Sequence, residues 1–280
     1  MTQTVIDKMS PALAGKYALL KEQLAALESL VVAYSGGVDS TFLLKAAVDA
    51  LGSDRVLAVT AESETYQKFE RDEAEANARL IGARHLVIRT EELANPEFAS
   101  NPPDRCYYCK GELFSKLREM AATEGFRHVA DGTNLDDLSD IRPGRTAAKE
   151  NDVVSPLAAA GLTKDDIRAL SRELGLPTWN KPAMACLSSR FPYGTEITTG
   201  LLERVAKAEE LLRNLGFTQF RVRHHGDIAR IEVPRDSLAR FLDEEVSRSI
   251  TRSLKELGYV YVTLDLEGFR SGSMNEVLKS

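Results

Sequence analysis

The sequence is poor in cysteine, with three in 280 residues, at Cys106, Cys109 and Cys186. An odd and low count cannot staple a small secreted domain, so a disulfide scaffold is excluded. No apolar run approaches the ~20 residues that a membrane-spanning helix needs. Residues 1–10 hold no basic stretch followed by an apolar one, the mark of a secretory leader. The expected compartment is the cytoplasm, and no membrane partner is expected. A basic excess is missing too: 36 Lys and Arg stand against 42 Asp and Glu, for a net charge of −6 and a pI of about 5.4. Proteins that grip a long polyanion carry the opposite balance, so no nucleic acid partner is expected, while a small basic pocket for one nucleotide stays compatible. Internal repeats and low-complexity segments are also absent.

What is present reads as a globular protein of two domains. The length suits two cores better than one, and 43% hydrophobic content with a mean hydropathy of −0.24 is ordinary for a water-facing protein. Hydrophobic spacing predicts helices over 17–30, 40–51, 69–81 and 112–124, and strands over 30–34, 56–60, 85–89 and 128–130. Strands alternating with helices imply βαβ units and a parallel sheet, so the expected fold class is α/β. A helix over 163–174, with Thr163 as its cap and Gly175 as its stop, closes this part. A proline- and turn-rich stretch at 177–192 then marks a boundary, drawn between domains 1–185 and 186–280. The second domain is expected to be a smaller α+β unit, with helices over 201–215 and 243–257 and strands over 220–224, 229–233 and 259–264.

The chemistry begins at Ser35-Gly36-Gly37-Val38-Asp39-Ser40, between a predicted strand and a predicted helix. A tight glycine turn at a helix N-terminus aims backbone N–H groups at an anion, and the helix dipole adds to the attraction. Gly36 and Gly37 permit positive φ and close approach, and the hydroxyls of Ser35, Ser40 and Thr41 add donors. The lysine of the GxxxxGK[ST] loop is lacking. Asp39 is placed instead to hold Mg²⁺ against phosphates. Ligands of such sheets lie beyond the carboxyl ends of the strands. That edge gathers Ala33, the loop, Thr60 and the string Asp131-Gly132-Thr133-Asn134, the expected cofactor-binding set.

The glycine string, in its strand–turn–helix setting, resembles the PP-loop of the ATP pyrophosphatase superfamily, whose domain is adenine nucleotide alpha hydrolase-like. The resemblance implies cleavage of ATP between its α- and β-phosphates, adenylation of a substrate oxygen, and displacement of AMP by nitrogen or sulfur. Further strings narrow the choice: 104–110 (Asp-Arg-Cys-Tyr-Tyr-Cys-Lys), 131–137, 181–194 with Cys186 at its centre, and 268–275. Together they resemble the LarE family, sulfur-inserting enzymes of nickel-pincer nucleotide biosynthesis, from about Leu30 to Asn275. In that family the carboxylates of a pyridinium dicarboxylate mononucleotide are adenylated and converted to thiocarboxylates. The implied requirements are ATP, Mg²⁺, a small nucleotide substrate, and sulfide or another sulfur donor. The resemblance further implies a homo-oligomer, a hexamer being the assembly it suggests.

One branch of the family sacrifices the sulfur of a single cysteine, which Cys186 matches. This chain also has Cys106 and Cys109, and so resembles the three-cysteine branch, for which a [4Fe-4S] cluster is implied. By chemistry alone, three thiolates hold three corners of a cubane and leave one iron open. The residues by themselves also allow a persulfide or redox pair, inert thiols, or zinc, although no histidine is spaced to complete a zinc site. Cys186, Asp39 and Arg190 are the expected catalytic residues, Arg190 because it stands four residues past Cys186. Arg221, Arg223 and His225 alternate on a predicted strand and therefore share a face, suited with Arg230 to a substrate phosphate. The competing reading is a solvated strand face. Glu210 and Glu232 are weaker candidates for metal or substrate contact. A tRNA thiolase of the same superfamily remains an alternative, disfavoured by the acidic balance, and an amide-forming ligase would leave the cysteines idle.

Overall fold

The structure is a computed structural model, and it describes residues 10–66, 68–138, 143–182, 185–270 and 272–278. Ala183 and Met184 of the string 181–194, and Ser271 of the string 268–275, lie outside the described residues. By its packing the chain divides into two units: 1–92 with 104–184, and 93–103 with 185–280. The second break stands one residue before the expected boundary. The inclusion of 93–103 in the second unit was not foreseen, because nothing in its composition departs from a surface loop.

In the first unit, α1 (Pro11–Ala26) starts with proline at its first turn and Ser10 as cap, whose Oγ accepts from the Leu13 N–H at 3.3 Å. Both features begin helices, and they set the start earlier than the apolar spacing did. There follow β1 (Leu30–Ala33), α2 (Val38–Leu51), β2 (Val56–Glu62), α3 (Lys68–Ile81), β3 (Arg84–Arg89), α4 (Arg105–Glu124), β4 (His128–Ala130), α5 (Pro143–Glu150) and α6 (Lys164–Glu173). The last carries the expected Thr163 cap as a full capping box with Asp166.

The strands form one parallel 4-stranded sheet in the order β3-β2-β1-β4. Leu30 is opposite both Val56 and His128, which makes β1 a central strand. Its alternate residues feed opposite faces. Leu30 and Val32 join a core with Tyr17, Leu20 and Phe42, while Val31 joins one with Phe114, Leu117 and Ala147. A sheet buried on both faces reads as the unbroken apolar run seen in the sequence. The chain leaves β1 toward β2 and β3 and then returns to its other side at β4. Strand order thus reverses at β1, and the crevice beyond β1 and β4 is where this topology seats ligands.

The second unit contains α7 (Thr199–Asn214), β5 (Arg221–His225), β6 (Ile228–Glu232), α8 (Glu244–Glu256) and β7 (Tyr261–Leu264). Its 3-stranded sheet has the order β5-β6-β7, antiparallel across the first pair and parallel across the second. Val222, Ala229 and Ile231 pack one face against Leu212, Phe217, Ile250 and Leu254. A strap from 93–103 belongs to this unit. Asn101 is fully buried with φ +56°, a conformation asparagine tolerates, and its Nδ2 donates to the Pro192 carbonyl at 2.8 Å. The N–H of Ile197 donates to the Ala99 carbonyl at 2.8 Å. Among the described residues no helix is long and apolar enough to cross a membrane.

Candidate active site

The loop after β1 is built for a close-fitting anion. Gly36 sits at φ +67°, and a Cβ there would lie 2.7 Å from the Cβ of Ala74 in α3. Both the backbone angle and the space therefore demand glycine. Gly37 caps α2 with no side chain bonded to the first-turn N–H groups, so those donors are left for a ligand. The hydroxyls of Ser35 and Ser40 are 3.1 Å apart, and the Gly37 N–H donates to Ser35 Oγ at 3.4 Å. The loop after β4 closes from the other side. A Cβ on Gly132 would lie 3.0 Å from the Ser40 nitrogen. Thr133 donates through its Oγ1 to Asp131 at 2.7 Å, and Asn134 Oδ1 accepts from the Asp136 N–H at 2.9 Å. Asn134 in turn donates to Asp39 Oδ1 at 3.3 Å. The structure thus brings together Ala33 at the end of β1, Ser35, Gly36, Gly37, Asp39, Ser40, Gly132, Thr133 and Asn134.

Thr60 needs a correction. Its hydroxyl donates to the Tyr34 carbonyl at 2.8 Å and lies 2.8 Å from His85 Nε2. With the Thr60 proton committed, the ring nitrogen must be the donor. Burial lowers the His85 pKa, which agrees with a neutral ring. Thr60 therefore props the loop, and its hydroxyl is not available to a nucleotide. Tyr66 has a similar place, donating to the Ser35 carbonyl at 3.1 Å. Two lysines that sequence reasoning left unassigned stand at the loop. Lys164, the first residue of α6, pairs with Asp39. Lys181 donates to the Gly36 carbonyl at 3.2 Å and to Glu73 at 2.8 Å. Helix-cap reasoning located Lys164, but only the fold shows what it faces.

In the second unit, Cys186 is exposed at the cap of a short turn, Leu187–Arg190. Arg190, expected to be catalytic from its position four residues past Cys186, is instead committed within the fold. It has no exposure, and its fork binds Glu209 at 2.8 and 2.9 Å while Nη1 donates to the carbonyls of Ala185 at 2.7 Å and Cys186 at 3.2 Å. It shapes the turn that carries Cys186. Burial pushes the Glu209 carboxyl up, but the Arg190 charge and hydrogen bonds and the Val222 N–H outweigh this and hold it below its ordinary range. The sequence reading chose Glu210, which is exposed; helical spacing with Leu202, Val205 and Leu212 selects Glu209 for the buried face.

Arg221 and Arg223 do lie on the face opposite the Val222 core, across from Glu232 and Arg230 in register. The face is buried, so the solvated reading fails. Arg223 forks onto Glu232 at 3.0 and 2.8 Å and donates to the Ser189 carbonyl at 2.6 Å, which ties the strand to the Cys186 turn. Arg221 is pulled down to about 10 by burial and by the charge of Arg190. His225 Nε2 and Arg230 Nε are buried atoms with no hydrogen-bond partner among the described residues. Burial, then the charges of Arg230 and Arg223, lower the His225 pKa.

Cys106 and Cys109 fall in the first turn of α4, which begins seven residues before the predicted helix. Three residues apart, they lie on neighbouring positions of one helix face. Cys106 is exposed, and the Cys109 thiol faces Glu92 at 3.7 Å. None of the three cysteines is in a disulfide. Among the described residues, no group of three or more His, Cys, Asp and Glu is arranged to hold a metal ion.

Comparison with known proteins places these features. The family model for NAD synthase matches residues 17–124, the span from α1 through α4 that includes the glycine loop. An uncharacterized protein of Synechocystis sp. is 46% identical over 266 residues, covering 95% of this chain and 99% of the relative. The pyridinium-3,5-bisthiocarboxylic acid mononucleotide synthase of Lactiplantibacillus plantarum is 45% identical, covering 95% of this chain and 96% of that protein. An uncharacterized protein of Methanocaldococcus jannaschii is 31% identical, with 87% and 92% covered.

Proposed function

The chain belongs to the LarE family of PP-loop sulfurtransferases, and on that premise we propose that it converts the carboxylates of pyridinium-3,5-biscarboxylic acid mononucleotide to thiocarboxylates at the expense of ATP. The observation that carries this is the double glycine pinch, with Gly36 against Ala74 and Gly132 against the Ser40 nitrogen, around an uncapped helix N-terminus. A substrate carboxylate oxygen attacks the α-phosphorus. The bond to the bridging oxygen breaks and its electron pair leaves with pyrophosphate. A sulfur nucleophile then adds to the acyl carbon and AMP departs. The backbone N–H groups of Val38 to Ser40 hold phosphate oxygens, and Asp39 would hold Mg²⁺, which would screen phosphate charge. His225 Nε2 and Arg230 Nε, without a hydrogen-bond partner among the described residues, lie on the face of Arg221 and Arg223 and suit the phosphate of the mononucleotide. The reading also takes the enzyme to be a cytoplasmic homo-oligomer.

The wild-type protein incubated with ATP, Mg²⁺ and substrate should release AMP and pyrophosphate. ADP and orthophosphate as main products would overturn the reading. Arg230→Ala, at the partly exposed member of this face, should weaken mononucleotide binding about tenfold or more and leave ATP binding unchanged.

For the sulfur, three thiolates suit a [4Fe-4S] cluster by donor chemistry. Cys106, Cys109 and Cys186 are the thiolates that would hold it. A second reading has its own support. Cys186 is exposed on a turn held by Arg190 and adjoining the arginine face, where it is placed to give up its own sulfur. Iron and sulfide analysis after anaerobic purification, followed by intact mass after turnover, separates the two. Bound iron lost equally in Cys106→Ala, Cys109→Ala and Cys186→Ala supports the cluster. Loss of one H₂S from the chain, mapped to Cys186, supports sacrifice.

A further inference from the structure

The loop lacks a lysine of its own, yet an ammonium group stands on it. Lys181 reaches across 145 residues of sequence to the Gly36 carbonyl. Its backbone is fixed from both sides. The Lys181 N–H donates to the Thr178 carbonyl at 3.0 Å, and Arg168 donates to the carbonyls of Trp179 and Lys181, each at 3.0 Å. A turn braced in this way presents one long side chain toward Gly36. The side chain is only 16% exposed, whereas its acidic partner Glu73 is 52% exposed. The cation is therefore the settled member of the pair, and Glu73 is a surface carboxylate that neutralises it in the absence of ligand.

Gly36 and Gly37 lead into the uncapped N-terminus of α2, so an anion seated there lies within a few ångströms of the Gly36 carbonyl and of the ammonium bonded to it. We propose that Lys181 is the phosphate-binding lysine of this site, and that its ammonium exchanges Glu73 and the Gly36 carbonyl for the β- and γ-phosphates of ATP. This rests on the adenylation reading above. When the α-phosphorus is attacked, the bond to the bridging oxygen breaks and negative charge grows on the departing pyrophosphate. An ammonium group at that end stabilises it with no proton transferred. Lys164, paired with Asp39, is on the Mg²⁺ ligand and has a separate task.

The test compares two nucleotides by calorimetry on the full chain. ATP carries the β- and γ-phosphates and AMP does not. Lys181→Gln should weaken ATP and free pyrophosphate binding about tenfold or more and leave AMP binding unchanged. Lys181→Arg should recover most of the loss. Glu73→Gln, which removes the competing carboxylate, should leave ATP binding equal to wild type or tighter. Equal weakening of ATP and AMP in Lys181→Gln would mean that the lysine only shapes the loop, and no change in ATP binding would remove it from the site; either result overturns the proposal. If wild-type protein binds neither nucleotide, the adenylation reading has failed instead, and that control is run first.

Discussion

The two units hold charge in opposite ways. In the first, the anion site is made of backbone and glycine, and its charged groups form partly exposed pairs: Asp39 with Lys164, at 23% and 31% exposure, and Lys181 with Glu73. In the second, the charges are interior. Arg190 with Glu209, and Arg223 with Glu232, are 0–5% exposed and forked. A pair reached by water can be broken and remade when a ligand arrives, because separation costs little. A buried fork cannot, since either partner left alone keeps an uncompensated charge in a poor solvent. The first unit thus has charges free to do work on a ligand, while the second uses its forked pairs to fix the shape of a turn and a strand.

The contrast is easiest to break at Arg190. Arg190→Ala should lower the stability of the second unit by about 3–5 kcal/mol, whereas Arg190→Met combined with Glu209→Leu should cost much less. Chemical denaturation of the three proteins checks this, and similar stability of wild type and Arg190→Ala would erase the distinction. Next in size is Gly36→Ala, which forces a left-handed angle at about 1–2 kcal/mol and adds the clash with Ala74. Adding Ala74→Gly should relieve the clash but not the angle, so stability should return only in part. Asp39→Asn should barely move the melting midpoint, since an exposed pair is worth about 0–1 kcal/mol. Adenylation should nevertheless fall about a hundredfold, the loss expected on disturbing a metal site; pyrophosphate release measures it. The smallest effect is acid dependence. Glu209 lies below its ordinary 4.5 in the fold. Its contribution is complete above that value and disappears as the pH falls through its lowered folded value. A urea midpoint followed from pH 7 to 3 should lose this contribution only below 4.5, and the decline there should be gentler in Glu209→Gln.

The parallel sheet and its glycine turn were legible because they depend on local pattern: apolar runs for buried strands, a glycine pair, and a cap at Thr163. Cys106 and Cys109 fell outside the predicted helix at 112–124 because Arg105-Cys106-Tyr107-Tyr108 has no apolar periodicity, whereas α4 extends back over them. The buried arginines were recognised as a face but not as ion pairs. Sequence alternation shows which residues share a side, while the cross-strand register that puts Glu232 opposite Arg221 needs the hairpin. Lys164 and Lys181 were invisible for the same reason, since their partners lie 125 and 145 residues away.

The strap at 93–103 has a consequence for how the chain is made. It emerges from the ribosome between β3 and α4, well before Phe191, Pro192, Gly194 and Ile197, which carry the hydrogen-bonding partners of Asn101 and Ala99. The first unit can therefore begin to fold around a loop that has no seat yet. A nascent chain halted before residue 185 carries that loop, with Phe98 and the left-handed Asn101, unsupported. The N-terminal unit is consequently not a portable module. Expressed alone, it would be nicked first by a protease within 93–103, because the segment that carries the partners of Asn101 and Ala99 never arrives.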